Sequence, residues 1–246
     1  MIRPGQPLQN AINVINQTMK YSGVEYWLCF GGLWGLIMNE GTIPDGDLDI
    51  CVRYGDDYKR IQKAFAASPG GYAMSKALLD DTDRSKALYC GYGSRIGLPH
   101  ICLSFWYPHK GLLFYCHDQH FEVKGEGVPP SGYFFKGVPE HALRDFKVVE
   151  WPGIVQSTKI NVPMFPGVVL DHLYPAWAYR KQKYLIDKKN TVEPEKMVSY
   201  HKGGAISPYR VHVKSMAEFK RDDLIAIQLK ESEKKYRAEL KLQDNK

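Results

Sequence analysis

The chain has 246 residues, of which 44% are hydrophobic and 24% charged, with a formal net charge of +6; this is an ordinary globular composition with enough apolar material for one large core or two small ones. The positive charge suits an anionic partner such as a nucleotide donor or a phosphorylated glycan. It is too dispersed for a nucleic-acid protein, because the dense basic segments 180–189 and 214–241 are interleaved with acids and read as solvated faces.

Leu8, Ile12, Ile15 and Met19 recur at helical spacing and residues 21–23 end on a glycine, so the first element is a helix packed on a sheet. Residues 26–30 then read as a strand. Gly31 and Gly32 leave it and open a short apolar helix over 33–39. After a proline-closed turn, Asp47 and Asp49 begin a second strand in which Leu48 and Ile50 alternate with them. Residues 56–67 form a helix with Tyr58, Ile61 and Phe65 on one stripe and aspartates at its start.

From residue 86 the chain becomes aromatic, β-branched and glycine-punctuated. Strands are expected at 87–92, 100–107, 112–117 and 120–124, followed by shorter ones at 134–137, 147–151 and 158–162. Helices follow at 168–174, after Pro166, and at 176–186. Residues 187–208 are polar and loop-like. The tail opens with a Ser215/Glu218 capping box and runs helically to about residue 243, with so few apolar residues that it reads as a partly free arm. This is an α+β (α/β) pattern: a mixed β-sheet flanked by helices, with a main domain over 1–186 and a polar loop and C-terminal helical extension over 187–246.

Five cysteines, Cys29, Cys51, Cys90, Cys102 and Cys116, make an odd set without a CxxC pair. Reduced, buried thiols in a cytoplasmic protein are the expectation. Residues 1–10 lack the apolar core of a signal peptide, and no run of about 18 apolar residues occurs, so no transmembrane segment is expected. His100, Cys102, Cys116, His117 and His120 offer zinc-type donors, but without paired short spacing and with strand alternation against them, core thiols and surface histidines are the better account.

The chemistry concentrates between Phe30 and Ile50. Two carboxylates on one strand face can hold Mg²⁺ or Mn²⁺, which complete their shells with phosphate oxygens. The glycine pair, lacking side chains, would let backbone N–H groups approach a phosphate at a helix N-terminus. The order Gly31-Gly32, short helix, Ile43-Pro44 and Asp45-Gly46-Asp47-Leu48-Asp49 resembles the LicD/fukutin-related family, a branch of the nucleotidyltransferase superfamily. Weaker likeness continues through Ile160-Asn161-Val162-Pro163 and Leu173-Tyr174-Pro175-Ala176-Trp177, so that about residues 25–185 are covered.

The resemblance implies a nucleotidyltransferase-like fold. It also implies a phosphotransferase that moves a phospho-alcohol, such as phosphocholine or an alditol phosphate, from a CDP-activated donor to a glycan hydroxyl. Asp47 and Asp49 would hold the metal, Asp45 would orient a metal-bound water, and Gly31-Gly32 would cradle phosphate. Arg53 and Arg95, with Arg84 and Lys86 as further candidates, would meet the pyrophosphate. Tyr174 and Trp177 either stack on the nucleobase or pack in the core.

The family's third carboxylate is expected on a strand that here reads His100-Ile101-Cys102-Leu103-Ser104, so Cys102 stands where an aspartate belongs. Met38 likewise replaces a usual arginine. Either His100, Asp118 or Glu122 supplies the missing ligand or base, or catalysis is impaired. Alternative functions are a nucleotidyltransferase moving a nucleoside monophosphate to a small molecule or protein, a nucleotide-binding relative without turnover, and a tail that gives peripheral docking to a partner or membrane surface.

Overall fold

The computed structural model describes residues 1–44, 46–117, 133–154, 156–174 and 209–244. Asp45, Asp118, His120, Glu122 and Trp177 lie outside these, as do the strand expected at 120–124 and the helix expected at 176–186. The first helix, α1 (Gln6–Ser22), buries Leu8, Ile12, Ile15 and Met19 and ends on Gly23 at φ 67, whose N–H turns back to the Lys20 and Met19 carbonyls. That left-handed cap is cheap only for glycine.

The next segment corrects the expected boundary. The strand is only β1 (Trp27–Leu28), and helix α2 (Phe30–Met38) already contains both glycines. Packing explains Gly32: a Cβ there would stand 2.6 Å from Leu28 Cδ1 and 3.4 Å from Leu48 Cδ1. Phe30 starts the helix at φ 43, a conformation uncommon for a bulky residue. Its ring lies against Trp106, at 6.0 Å between centroids, and Tyr115, at 4.5 Å.

Strand β2 (Asp47–Arg53) begins at the expected aspartate, and α3 (Tyr58–Ala66) is capped by Asp57, which accepts from the Lys59 and Arg60 amides. Strands β3 (Tyr72–Leu79), β4 (Ala87–Ser94), β5 (His100–His109), β6 (Leu112–His117) and β7 (Tyr133–Pro139) follow. A one-turn helix α4 (Glu140–Leu143), the hairpin β8 (Phe146–Glu150) and β9 (Lys159–Pro163), and helix α5 (Pro166–Leu173) come next. The last described elements are β10 (Arg210–Val213), α6 (Met216–Phe219) and α7 (Asp222–Asp244). The strands β3 and β10 and the short α4 are additions to the sequence expectation.

The main sheet runs β1-β2-β5-β6-β7-β10, with β4 also on β5 and β3 on β4. Its hub is β5, parallel to β2 over residues 100–106, antiparallel to β4 over 101–104 and to β6 over 107–109. Ile101, Leu103 and Phe105 on this strand are at most 1% exposed, and each such side chain contributes about 1.5–3 kcal/mol relative to an exposed position. Alternation on β6 sends Leu113 and Tyr115 into the main core and Phe114 and Cys116 into a second cluster with Phe135, Val211, Val213, Met216, Phe219 and Ile225. The tail therefore starts as an anchored element: Phe219 stacks on Phe135 with centroids 3.9 Å apart. Anchoring continues past the exposed Ile227, since the Gln228 side chain bonds to the His212 N–H and carbonyl at 2.7 Å and Leu229 packs against the second cluster, which corrects the expected free arm over this stretch.

Candidate active site

Strand register assembles the site. In the parallel β2–β5 ladder Asp47 lies beside His100 and Asp49 beside Cys102, while Cys102 pairs on its other side with Gly91 of β4. Residues two apart share a face, so His100, Cys102, Ser104 and Trp106 project together along β5. Their burial forms a gradient: His100 is half-buried, Cys102 5%, Ser104 6% and Trp106 0% exposed. One end of this face opens to solvent and the other runs into the core.

The carboxylates of Asp47 and Asp49 and the Cys102 thiol have ligand atoms within 4.8 Å of one another. Cys102 Sγ is 3.2 Å from Asp47 Oδ2, to which it donates, and it accepts from the Tyr89 hydroxyl at 2.9 Å. Burial, with the charges of Asp49 and Asp47, pushes the Cys102 pKa far up, so the sulfur holds its proton at neutral pH when no cation is bound. Tyr89 is raised for the same reasons, burial first and then its neighbours Cys102, Asp49 and Asp47.

His100 stands at the rim. Nδ1 is 3.5 Å from Cys102 Sγ, and Nε2 is 3.1 Å from Ser75 Oγ. Burial lowers its pKa and the Asp47 charge only partly offsets that, so the ring is neutral at pH 7. Ser75 reaches it through a β-bulge: Met74 pairs with Tyr92 and Lys76 with Gly91, leaving Ser75 as the extra residue. Gly91 keeps the space open, since a Cβ there would meet His100 Cε1 at 3.0 Å and Ser75 Oγ at 3.3 Å.

Helix α2 begins next to this cluster. Leu28 pairs with Ile50 in the antiparallel β1–β2 ladder, and the Cys29 amide donates to the Asp49 carbonyl at 3.1 Å. The chain then turns into the helix at Phe30, and Leu33 N–H closes the first helical bond on Cys29 at 3.0 Å. The amides ahead of it, including those of Gly31 and Gly32, belong to the first turn, where the helix itself offers no acceptor. Both glycines are buried within that turn instead of preceding it, and the crowding around Gly32 gives it a packing role.

The structure places the predicted arginines apart from each other. Arg95 follows β4 and precedes His100 on the connection to β5, at the sheet end where Asp47 lies. Arg53 ends β2, about 20 Å along the strand from Asp47, and its guanidinium donates to the Arg144 carbonyl at 3.3 Å. Arg84 and Lys86 sit on the β3–β4 connection, where Lys86 pairs with Asp83 at 3.6 Å. Tyr174 packs partly buried against the main core, and Met38 is buried. Sequence reasoning did not find Ser75, Tyr89 or Gly91; all three reach the site through long-range strand pairing.

No helix among the described residues is long and apolar enough to cross a membrane. All five cysteines are buried. Residues 23–138 match the family described as LicD/FKTN/FKRP, nucleotidyltransferase domain. No curated protein matches the chain. Among solved structures, the crystal structure of ANT(2")-Ia in complex with adenylyl-2"-tobramycin is 12% identical, covering 94% of this chain and 98% of that one at a TM-score of 0.37. The solution structure of the antibiotic-resistance factor ANT(2'')-Ia is 8% identical, covering 96% and 95%, also at 0.37. At such scores neither guides the assignment of the site.

Proposed function

Residues 23–138 belong to the LicD/FKTN/FKRP family of nucleotidyltransferase domains, and on that premise we propose that the protein transfers a phospho-alcohol from a CDP-linked donor to a glycan hydroxyl. The observation that carries this reading is the convergence of Asp47, Asp49 and Cys102 within 4.8 Å of one another, with the Asp49 carbonyl accepting from the amide of Cys29, the residue before α2. The donor set fits a divalent cation: two carboxylates from one strand face and a third donor from the neighbouring strand. Such an ion would act as a Lewis acid that neutralises charge on the donor phosphates.

The chain's own groups account for the remainder. In this reading the α2 N-terminus contributes the favourable end of its dipole to the donor phosphates, and Arg95 at the same end of the sheet adds a cation for the diphosphate. Nδ1 of His100 faces Cys102 and Asp47, which favours the proton on that nitrogen and leaves Nε2 basic. An acceptor hydroxyl entering beside Ser75 hands its proton to Nε2 as its oxygen bonds to the phosphorus that bears the alcohol. The bond from that phosphorus to CMP breaks and CMP leaves with the electron pair.

Buried cysteines in an odd number without a CxxC pair fit a reducing compartment such as the cytoplasm, and the net charge of +6 fits anionic donors. The test is product mass with CDP-linked donors and a sugar acceptor, using the wild type and the Asp47→Ala and Asp49→Ala variants. Gain of a phospho-alcohol by the acceptor, lost in both variants with unchanged melting temperature, is the expected result. Gain of a nucleoside monophosphate, or unchanged turnover in both variants, rejects the proposal.

A further inference from the structure

The donor that faces the two aspartates from β5 is sulfur, and sulfur changes which cations the cluster accepts. Resting on the metal-dependent reading above, we infer that Cys102 is a thiolate ligand and that the site prefers a borderline or soft divalent cation, of the Zn²⁺, Co²⁺ or Cd²⁺ kind, over Mg²⁺.

Geometry supplies the first support. Cys102 Sγ stands 3.2 Å from Asp47 Oδ2, and the ligand atoms of Asp47, Asp49 and Cys102 are close enough to share one ion. The sulfur is also fixed. Its backbone is tied to Asp49 on one side and to Gly91 on the other, in the hub strand of the sheet. A cysteine has one side-chain torsion before sulfur, so the strand leaves Sγ only three staggered positions, and the one adopted faces Asp47. The Tyr89 hydroxyl, 2.9 Å away, donates to it, a contact that strengthens as sulfur gains negative charge and that orients the ligand from outside the cluster.

Chemistry supplies the second support. Mg²⁺ requires a nearly octahedral shell of hard oxygens, so a sulfur in one corner removes a ligand from it. Zn²⁺ and its softer relatives gain a bond from the same atom. Two carboxylates and one thiolate also make the three protein ligands of an open zinc-type site, with a further position left for a phosphate oxygen. An aspartate at position 102 would make the set all-oxygen and return the advantage to Mg²⁺.

The experiment titrates the full-length chain with Cd²⁺ and separately with Mg²⁺, by calorimetry and by thiolate-to-metal charge-transfer absorbance, in the wild type and in Cys102→Ser, Cys102→Asp and Asp47→Asn. The expected result is an absorbance band present in the wild type and missing from Cys102→Ser, with the Cd²⁺/Mg²⁺ affinity ratio falling about tenfold or more in Cys102→Asp. Melting temperatures establish that each variant is folded. A band that survives Cys102→Ser, or an equal affinity ratio in wild type and Cys102→Asp, overturns the inference. If Mg²⁺ binding still depends on Asp47 in that case, the divalent site of the proposed function stands without the thiolate. If neither cation binds in any variant, both fall.

Discussion

Asp80 and Asp47 are carboxylates of one sheet with opposite surroundings. Asp80, at the end of β3, is 0% exposed and accepts from the Tyr54 hydroxyl, the Thr82 amide and hydroxyl at 2.7 Å each, the Asp83 amide at 3.3 Å and the Lys220 ammonium at 3.0 Å. Burial alone would raise its pKa, but the bonds from Tyr54, Thr82 and Lys220 outweigh that and bring it down to about 2. Asp47 is half-buried, faces a thiol and an imidazole, and among the described residues has no lysine or arginine paired with it. Protein donors complete the first carboxylate; the second, among the described residues, accepts from the Cys102 thiol alone. Satisfied buried charge is architecture, and a carboxylate with fewer protein donors is what the proposed cation site calls for.

This contrast can be tested from both sides. The largest expected effect is on activity: Asp47→Ala should lower transfer about a thousandfold or more, since a cation clamp is worth several kcal/mol at the transition state. Its unfolding midpoint should stay level or rise, because a like charge beside Asp49 is removed. Asp80→Ala should do the reverse, destabilising by about 3–5 kcal/mol in denaturant titration because Lys220 and the Tyr54 hydroxyl lose their buried partner. Activity per folded molecule should survive. Equal stability losses in the two variants would break the comparison.

His100→Gln should lower turnover about a hundredfold, the ordinary range for a general base. In the wild type the acidic limb of the rate profile should fall below the usual histidine value, since a base with a lowered pKa stays unprotonated to lower pH. A limb above that value would remove His100 from the role. The smallest effect belongs to Lys220→Met, which should cost about 1–2 kcal/mol and raise hydrogen exchange in α6 and α7 without changing turnover. The sign for Asp80 is that of a depressed carboxylate. Its contribution is present above the unfolded pKa near 4 and is lost as pH falls toward about 2, so the acid transition should be blunted in Asp80→Ala.

Local pattern made α1, α3 and the aspartate strand legible, because each has a clean period and a terminal signal: Gly23, Asp57, and the alternation of Leu48 and Ile50 with the acids. The strand β3 escaped because its alternation slips at Ser75, where the bulge turns one residue out of phase. A second slip lies opposite: Leu78 pairs with Tyr89 and Leu79 with Ala87, so Leu88 is extra and joins the second cluster while Ala87 and Cys90 join the main core. The anchored start of the tail escaped as well. Met216, Phe219 and Ile225 are sparse in sequence, and their significance depends on Phe114 and Phe135 meeting them.

At the site, the aspartates and glycines could be named from their spacing, whereas Tyr89, Gly91 and Ser75 arrive by cross-strand register that no short window contains. The sequence likewise showed that position 102 departs from an acid. That this sulfur lies within bonding distance of Asp47 required the parallel pairing of β2 with β5.

The irregularity at Ser75 sets regularity against usefulness. Excising that one residue would let β3 and β4 zip without interruption, giving a straighter and by ordinary standards better-formed hairpin. The imidazole across the way would then lose its hydroxyl neighbour. An idealised version of this sheet would thus be sturdier and blunter, its flaw having been the part that aims.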